Sequence, residues 1–441
     1  MRICVKLCCY LTLSLIWLHY GSSYQRNTLS DSPTLSIVFV YTVVSSNCEG
    51  GLPNYIRYAL EQSIFTQPDC NTVLLSNIQE CNKLAESVKD VEGLQVIDSV
   101  SIMSYRSQTF QNLSHSVFMD NRNSLWMTSA LRFFLLEDLM RDKGWKELMH
   151  VEADNMLYGR ITTILPGLRR HYPLAVTPLN FQETFLTASL FWVSNLNSLV
   201  KFNDFFIDLA KLNTIHSKYI DFLRVYLSKP GGAYPDATGL GVKPFAINEM
   251  SMMAYYHSLY PRELVLFPVV PARSFPFDEN FPNVSIYSPS GSHVGRLISH
   301  GIWDSGSYGQ FISGTKEKKG RNKRFTDGSH IIGAAIRLTR CQIVFWCNNV
   351  TENDYALRKP HKFGHLTSLQ FGPGRCYTAP YVRCGGDFHW TPLWNLHVHS
   401  KSTIDFISSL CDCKLDGGKK TNITVFVDND VYSWKPEIPP F

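Results

Sequence analysis

The chain has 441 residues, of which 44% are hydrophobic and 13% aromatic, and its formal net charge is +5. This is the composition of a folded protein, and the length suits one large or two ordinary domains. A basic run, KEKKGRNKR at 316–324, stands alone without interleaved aromatic residues. We interpret it as an exposed loop and predict no nucleic-acid partner.

The first 23 residues have the order of a secretory leader. Arg2 and Lys6 precede an apolar run at 7–18, and small polar residues follow. Because this run is shorter than the roughly 20 residues that span a bilayer, we predict a signal peptide over 1–23, with a short signal anchor as the alternative. A polar spacer occupies 24–34. The predicted location is the secretory pathway, in the Golgi lumen or outside the cell, with membrane contact only through a retained anchor.

Cysteines and glycosylation sequons agree with that compartment. Nine of the 12 cysteines follow the leader, and we expect most to form disulfides, with at least one left over because the number is odd. Zinc is the competing interpretation, but the chain has no pair of CxxC units. Four sequons favour a glycoprotein. They begin at Asn112, Asn283, Asn349 and Asn422.

The first predicted elements open an α/β sheet. LSIVFVYT at 35–42 is apolar and β-branched, which is typical of a strand buried on both faces. PNYIRYALEQSIFTQ has helical spacing, and NTVLLSN predicts a second strand. Strand, helix, strand is the beginning of an open sheet with helices on its faces.

The alternation continues along the chain. SLWMTSALRFFLLEDLMRDKG predicts a helix that ends at Gly144, and ELMHVEADNMLYG a strand. FLTASLFWVSN predicts a strand, LVKFNDFFIDLAKL a helix, and INEMSMMAYYHSLY a helix capped by Asn248. From about Leu264 the chain is rich in Pro, Gly and aromatic residues, and 410–441 is predicted as an appended tail.

Two carboxylates, Glu152 and Asp154, interrupt the predicted strand at spacing i, i+2. In an open α/β sheet, ligands collect at the carboxyl edge of the strands. Paired carboxylates there offer hard oxygen ligands, which suit Mg²⁺ or Mn²⁺ carrying a diphosphate. The ordinary alternative is a solvated strand end or a helix cap.

A second polar cluster, His397, His399 and Lys401, lies near the other end of the chain. An imidazole can complete a metal's coordination, and a lysine can neutralise phosphate charge. Polar strand surface is the alternative. A hydrolytic metal site built on HVH is a distant one, because the sequence lacks the further His and Asp clusters that such sites need.

Together these motifs resemble nucleotide-sugar-dependent glycosyltransferases of the GT-A type, whose acid-x-acid motif, usually DxD, holds a divalent ion against the donor diphosphate. The chain is particularly similar to a poorly described group of glycosyltransferase-like proteins with HxExDN, a GQ segment and a terminal NLHxHSK. Here these read HVEADNMLY, WDSGSYGQFISGT and NLHVHSK, with Glu152 in place of the first Asp. The likeness spans residues 35–405, and we predict one domain over 35–409.

The resemblance implies a Rossmann-like, mixed and mainly parallel sheet flanked by helices, with a loop-rich C-terminal part. It implies a metal-dependent enzyme, with Mn²⁺ or Mg²⁺, that moves a sugar from a nucleotide sugar, in particular a UDP-sugar, to a glycan, protein or lipid. The alternative is a secreted, non-catalytic carbohydrate-binding protein that retains the fold. The Glu at position 152 is the feature most open to that alternative.

The resemblance also implies which residues of this chain bind the metal and the diphosphate. Asp154 is the direct metal ligand, and Glu152 binds the metal or the donor ribose. The resemblance favours His399 over His397 as the third ligand. Lys401 is expected to steady the diphosphate.

Thr42 and Arg132 are assigned to the donor, although a solvated helix charge is an equal alternative for Arg132. Trp303, Tyr308 and Gln310 are assigned to the acceptor, because sugar sites combine aromatic rings with polar side chains. A Gly-rich surface turn is the alternative for that segment.

Asp304 and Glu249 are the candidate catalytic carboxylates. An inverting enzyme needs a carboxylate to deprotonate the acceptor hydroxyl, whereas a retaining one can do without it. For Glu249 the alternative is an acid that is favourable in a helix's first turn without any function.

Overall fold

The centre of the described chain is a seven-stranded sheet. In this computed structural model the described residues are 35–43, 48, 50–114, 123–179, 185–211, 214–227, 247–269, 301–306, 308–309, 342–349, 376–383, 391–398, 401 and 410–411. The strands of this sheet are β1 (Ser36–Val40), β2 (Asn71–Ser76), β3 (Leu94–Asp98), β4 (Leu148–Val151), β6 (Leu174–Pro178), β7 (Leu186–Val193) and β8 (Leu264–Leu266).

The sheet is mixed and mainly parallel, as predicted. Its strand order is β3-β2-β1-β4-β7-β6-β8. Strands β3, β2, β1 and β4 pair in parallel, and so do β6 and β8. Only β7 runs against its two neighbours among the seven strands. The long connections between parallel strands are made by helices, which cover the sheet.

Helices cover both faces of the sheet. Within β1, Val38 faces one core and Ile37 and Phe39 the other, and all three are fully buried. The helices are α1 (Asn54–Thr66), α2 (Asn82–Glu86), α3 (Ser99–Ile102), α4 (Tyr105–Ser114), α5 (Asn123–Lys143), α6 (Leu165–His171), α7 (Leu196–Ala210), α8 (Thr214–Leu227) and α9 (Glu249–Leu259). The core that contains Val38 includes α4, α5, α7, α8 and α9, and the other core includes α1, α2 and α6. None of the described helices is long and apolar enough to cross a membrane.

Two smaller sheets complete the described part. The first pairs β5 (Asn155–Leu157) with β12 (Asn395–His397) in antiparallel fashion. In the second, β10 (Cys376–Arg383) pairs with β9 (Gln342–Asn349), β11 (Thr391–Pro392) and β13 (Leu410–Cys411). Strand β13 places Cys411 opposite Cys376, so the predicted tail begins inside a sheet.

Several predicted boundaries are confirmed and one is corrected. Helix α5 ends before Gly144, whose φ of 64° suits glycine. Asn248 caps α9, because its side chain accepts a hydrogen bond of 2.9 Å from the Ser251 amide. The single strand predicted over 147–159 is two strands, since the Asn155 amide donates to the Glu152 carbonyl at 3.0 Å and closes a turn. Strand β4 lies before this turn and β5 after it.

Candidate metal and nucleotide site

The acid pair lies in that turn, at the carboxyl edge of the sheet. Strand β4 runs parallel to β1 and ends at Val151. The Glu152 amide still donates to the Ser189 carbonyl on β7, at 3.0 Å. Asp154 follows two residues later and is buried. The sheet therefore fixes the first acid, and the turn brings the second beside it.

Strand β12 reaches the acids by pairing directly with β5. His397 is in register with Asn155, and the Val398 amide donates to the Asp154 carbonyl at 2.9 Å. The Nε2 atom of His397 lies 3.1 Å from Asp154 Oδ1 and 3.2 Å from Glu152 Oε2. The predicted convergence of the acid pair with the histidine strand, 243 residues along the chain, is present.

These three side chains form a donor set that fits a divalent ion. One ligand atom each from Glu152, Asp154 and His397 lies within 4.8 Å of the others. The side chains of Asp154 and His397 are only 8% and 5% exposed. Carboxylate oxygens suit Mg²⁺ and Mn²⁺, and imidazole suits transition metals. His399, which the resemblance favoured, lies outside the described residues, so its role as a ligand stays a prediction.

Arg132 lies buried between two carboxylates, which makes the alternative of a solvated helix charge wrong. The residue is 8% exposed. Its Nη1 donates to Glu152 Oε1 at 2.5 Å, and its Nη2 donates to Glu249 Oε1 at 3.2 Å. Because a guanidinium is planar and stays charged, it holds both acids in a fixed arrangement. Contact with a donor stays a prediction for Arg132.

The environment moves the pKa values of these two acids in opposite directions. Burial opposes the ionisation of Glu152, but Arg132 and then His397 hold its pKa down at about 2. For Glu249 burial prevails over Arg132 and raises the pKa to about 7. Its Oε2 has no hydrogen-bond partner among the described residues. The site thus combines a permanently charged carboxylate with one that exchanges a proton near neutral pH.

Lys401 brings a positive charge to Asp154. Its Nζ donates to Asp154 Oδ2 and lies 5.1 Å from the centre of the Tyr55 ring. The φ of Lys401 is 65°, which is uncommon for a residue with a side chain. Its amide donates to the Val398 carbonyl at 2.9 Å. This backbone bond holds Lys401 next to the end of β12, where its ammonium group reaches Asp154.

Two buried asparagines, which the sequence analysis left unassigned, fix the register of β5 and β12. Asn395 Nδ2 donates to Asn155 Oδ1 at 2.8 Å and to the Asp304 carbonyl at 2.9 Å. Asn155 Nδ2 donates to the Ser189 carbonyl at 2.8 Å. Buried amides need such partners, so each bond supports the others. The sequence could have indicated both residues, since Asn155 ends the motif HVEADN and Asn395 begins the motif NLHVHSK.

Asp304 supports the backbone, which corrects its assignment as a catalytic base. The residue is fully buried. Its carboxylate accepts hydrogen bonds of 2.8 to 3.0 Å from the backbone amides of Gly306, Tyr308, Gly309 and His397. Both oxygens are therefore committed, whereas a base must reach the proton that it removes. Through the last of these bonds, Asp304 helps to position His397.

Trp303 and Tyr308 belong to the hydrophobic core, which corrects their assignment to acceptor stacking. Both residues are fully buried. The Trp303 ring packs against Phe267 and Trp394, with centroid separations of 4.8 and 5.7 Å. Such rings stabilise the segment by burial and leave no face for a sugar. Gln310, the third assigned acceptor residue, lies outside the described residues.

Thr42 and His150 take different places beside the acid turn. Thr42 is partly exposed just beyond the end of β1, and its donor role stays a prediction. His150, the first residue of the HVEADN motif, is fully buried in β4, with Nδ1 3.0 Å from the Val38 carbonyl on β1. This histidine therefore joins β4 to β1, and it lies close enough to Arg132 and Glu152 for their charges to act on it.

No family model matches this chain, and no curated protein matches it. Among solved structures it is similar to mouse xyloside xylosyltransferase 1, with 10% identity over 53% of this chain and 84% of the other, and a TM-score of 0.35. The chain is also similar to the galactosyltransferase LgtC in complex with donor and acceptor sugar analogs. The identity is 10% over 60% of this chain and 94% of the other, and the TM-score is 0.33.

A cytidylyltransferase from Leptospira borgpetersenii is also similar, with 14% identity over 39% of this chain and 64% of the other, and a TM-score of 0.26. TM-scores this low give no ground for transferring an activity. The functional interpretation depends on the geometry of the site.

Proposed function

We propose that this protein is a metal-dependent glycosyltransferase of the GT-A type that moves a sugar from a nucleotide-sugar donor, in particular a UDP-sugar, to a glycan, protein or lipid. One observation carries the proposal. Two carboxylates and a histidine from distant parts of the chain meet at the carboxyl edge of a mainly parallel sheet. That edge is where α/β proteins bind nucleotides.

Glu152, Asp154 and His397 would hold Mn²⁺ or Mg²⁺ in this proposal. A divalent ion there would stabilise the negative charge on the departing nucleoside diphosphate. Arg132 keeps Glu152 ionised, as the low pKa of that acid indicates. Lys401 already lies against Asp154, at the position from which an ammonium group can contact a diphosphate.

Glu249 is the better candidate for a catalytic base. Its Oε2 accepts no hydrogen bond from the described residues, whereas both carboxylate oxygens of Asp304 accept hydrogen bonds from backbone amides. A pKa near 7 is also the value that suits proton transfer at neutral pH. The burial of Trp303 and Tyr308 removes two expected sugar contacts from the enzyme and from the non-catalytic alternative alike, because buried rings cannot form a sugar-binding surface.

We also propose that the protein acts in the secretory pathway, because residues 1–23 have the order of a leader and because nine cysteines and four sequons agree with that compartment. Deglycosylation should then lower the apparent mass of the protein isolated from its native cells. An unchanged mass together with a cytosolic location would overturn this part of the proposal.

The activity is tested by incubating the full chain with uridine, guanosine and cytidine diphosphate sugars plus Mn²⁺ and measuring nucleotide release. We expect one donor to be turned over and Asp154→Asn to lower the rate at least about 100-fold, because the ion loses an anionic ligand. Asp221→Asn is the matched control, since Asp221 is exposed in α8, where it forms an ion pair with Arg224. Equal rates for wild type and Asp154→Asn would contradict the proposal.

A further inference from the structure

Cys48, which follows β1 in the chain, lies next to Cys81, which precedes α2. The Sγ of Cys81 donates to the Cys48 carbonyl at 3.5 Å, and the Sγ of Cys48 donates to the Glu80 carbonyl at 3.6 Å. Each thiol thus contacts the backbone of the other cysteine's segment. Cys81 is buried and Cys48 is partly exposed.

Contacts on both sides of the cysteines fix this approach. On one side, the amide and carbonyl of Val43 bond the Asn77 side chain at 3.0 and 2.8 Å. On the other, the Leu52 amide donates to Ser87 Oγ at 3.0 Å. A Cβ on Gly51 would lie 2.5 Å from that hydroxyl oxygen, and Gly51 has a φ of 63°. The absence of a side chain at Gly51 lets the two segments come this close.

We propose that Cys48 and Cys81 form a disulfide that staples the loop after β1 to the start of α2. The thiolate of Cys48 attacks a low-molecular-weight disulfide such as glutathione disulfide, and one glutathione thiolate leaves. The Cys81 thiolate then attacks Cys48 Sγ in the mixed disulfide, and the second glutathione leaves. The two cysteines lose two electrons and two protons in total, and glutathione disulfide becomes two glutathione molecules.

The bond would close a loop that contains α1 and β2, and so constrain the unfolded chain. It would also tether the edge of the sheet at which β1 ends, beside the acid turn. Interaction with the Cys81 side chain, and then burial, raise the pKa of the Cys48 thiol to about 11. Formation of the disulfide should therefore accelerate as the pH rises above 8. This inference does not depend on the proposed enzymatic activity.

Cys70 provides an internal control. It is the other described cysteine with a free thiol, and burial raises its pKa above the usual range. Digestion with trypsin and a glutamate-specific protease separates all three cysteines, because Glu80 lies between Cys70 and Cys81 and Arg57 lies between Cys48 and Cys70.

The test is a peptide map of the full chain after equilibration with reduced and oxidised glutathione, followed by alkylation without reduction. We expect one cross-linked peptide pair that joins Cys48 to Cys81 and disappears on reduction, while Cys70 is alkylated after unfolding. Alkylation of both Cys48 and Cys81, or their pairing with other cysteines, would overturn the proposal.

A thermal measurement provides an independent readout. In oxidising buffer, Cys48→Ser and Cys81→Ser should each lower Tm by about 3 °C or more, and the double variant no further than either single one. Cys70→Ser should retain the full response of Tm to reducing agent, and the two single variants should respond less than wild type. A Tm of the wild type that does not change with reduction would contradict the stapling role.

Discussion

At the residue scale, the arrangement of Glu152, Arg132 and Glu249 is the most consequential. A single guanidinium contacts the partly buried Glu152 and the buried Glu249, with distances of 2.5 and 3.2 Å to their oxygens. The nearer acid stays ionised, and burial raises the pKa of the farther one to about 7. Arg132 therefore separates two carboxylates into different roles, as enzymes do when they need a fixed charge beside a proton acceptor.

This difference predicts a pH dependence of stability. Since the folded pKa of Glu249 exceeds its unfolded value of 4.5, the folded protein binds more protons between pH 4.5 and 7. The stabilisation from protonated Glu249 is fully present below pH 4.5 and is lost as the pH rises to about 7. The free energy of unfolding falls by up to about 3 kcal/mol over this range. Glu249→Gln removes the titrating group. Urea denaturation of metal-free protein should show the variant gaining stability relative to wild type across this pH range.

A neighbouring titration cannot produce that difference, because both proteins share every other ionisable group. Glu86→Gln is a matched control, as Glu86 is exposed at the end of α2. A constant stability difference between Glu249→Gln and wild type from pH 4.5 to 8 would contradict the raised pKa of Glu249.

At the element scale, the site depends on how closely the loop at 301–309 approaches β12. A Cβ added to Gly309 would lie 1.8 Å from the His397 carbonyl oxygen. Backbone atoms cannot move aside as a flexible side chain can. The hydrogen bond from the Gly309 amide to Asp304 Oδ2, at 2.8 Å, holds the loop in this position. The backbone of His397 is thus held in place by its close contact with Gly309.

Gly309→Ala should therefore displace β12 and disturb the metal donors. We expect a loss of about 1 to 3 kcal/mol in the free energy of unfolding and a weaker affinity for Mn²⁺, measured by urea denaturation and calorimetry. Gly50→Ala is the matched control, because a Cβ there meets nothing within 4 Å. It should stay within about 0.5 kcal/mol of wild type. Equal Mn²⁺ affinities for the two variants would show that the loop does not position His397.

At the scale of the whole molecule, local patterns predicted the elements but did not reveal which segments pack into the core. The apolar run of β1, the end of α5 at Gly144 and the Asn248 cap follow from nearest neighbours in the chain, so the sequence predicted them. The meeting of Asp154 with His397 was also predictable, because both lie at strand ends and carry complementary donors.

The corrected residues share one cause. WDSGSYGQF has the composition of a sugar-binding loop, yet Trp303 and Tyr308 are fully buried, and Asp304 is saturated by backbone amides. Composition does not distinguish an aromatic ring that faces solvent from one that faces the core, because this depends on contacts with Phe267 and Trp394 far along the chain. Likewise, the sequence did not predict the ion pair between Arg132 and Glu249, since the two residues are 117 positions apart.

The central claim is that Glu152, Asp154 and His397 hold a divalent ion that carries a nucleoside diphosphate. Calorimetric titration of UDP into wild type and Asp154→Asn, each with Mn²⁺ and with chelator, tests it most directly. Asp221→Asn serves as the control for a lost surface charge. We expect metal-dependent binding by wild type and the control, and at least about tenfold weaker binding by Asp154→Asn. Equally tight binding by Asp154→Asn and wild type, with or without Mn²⁺, would contradict the metal site.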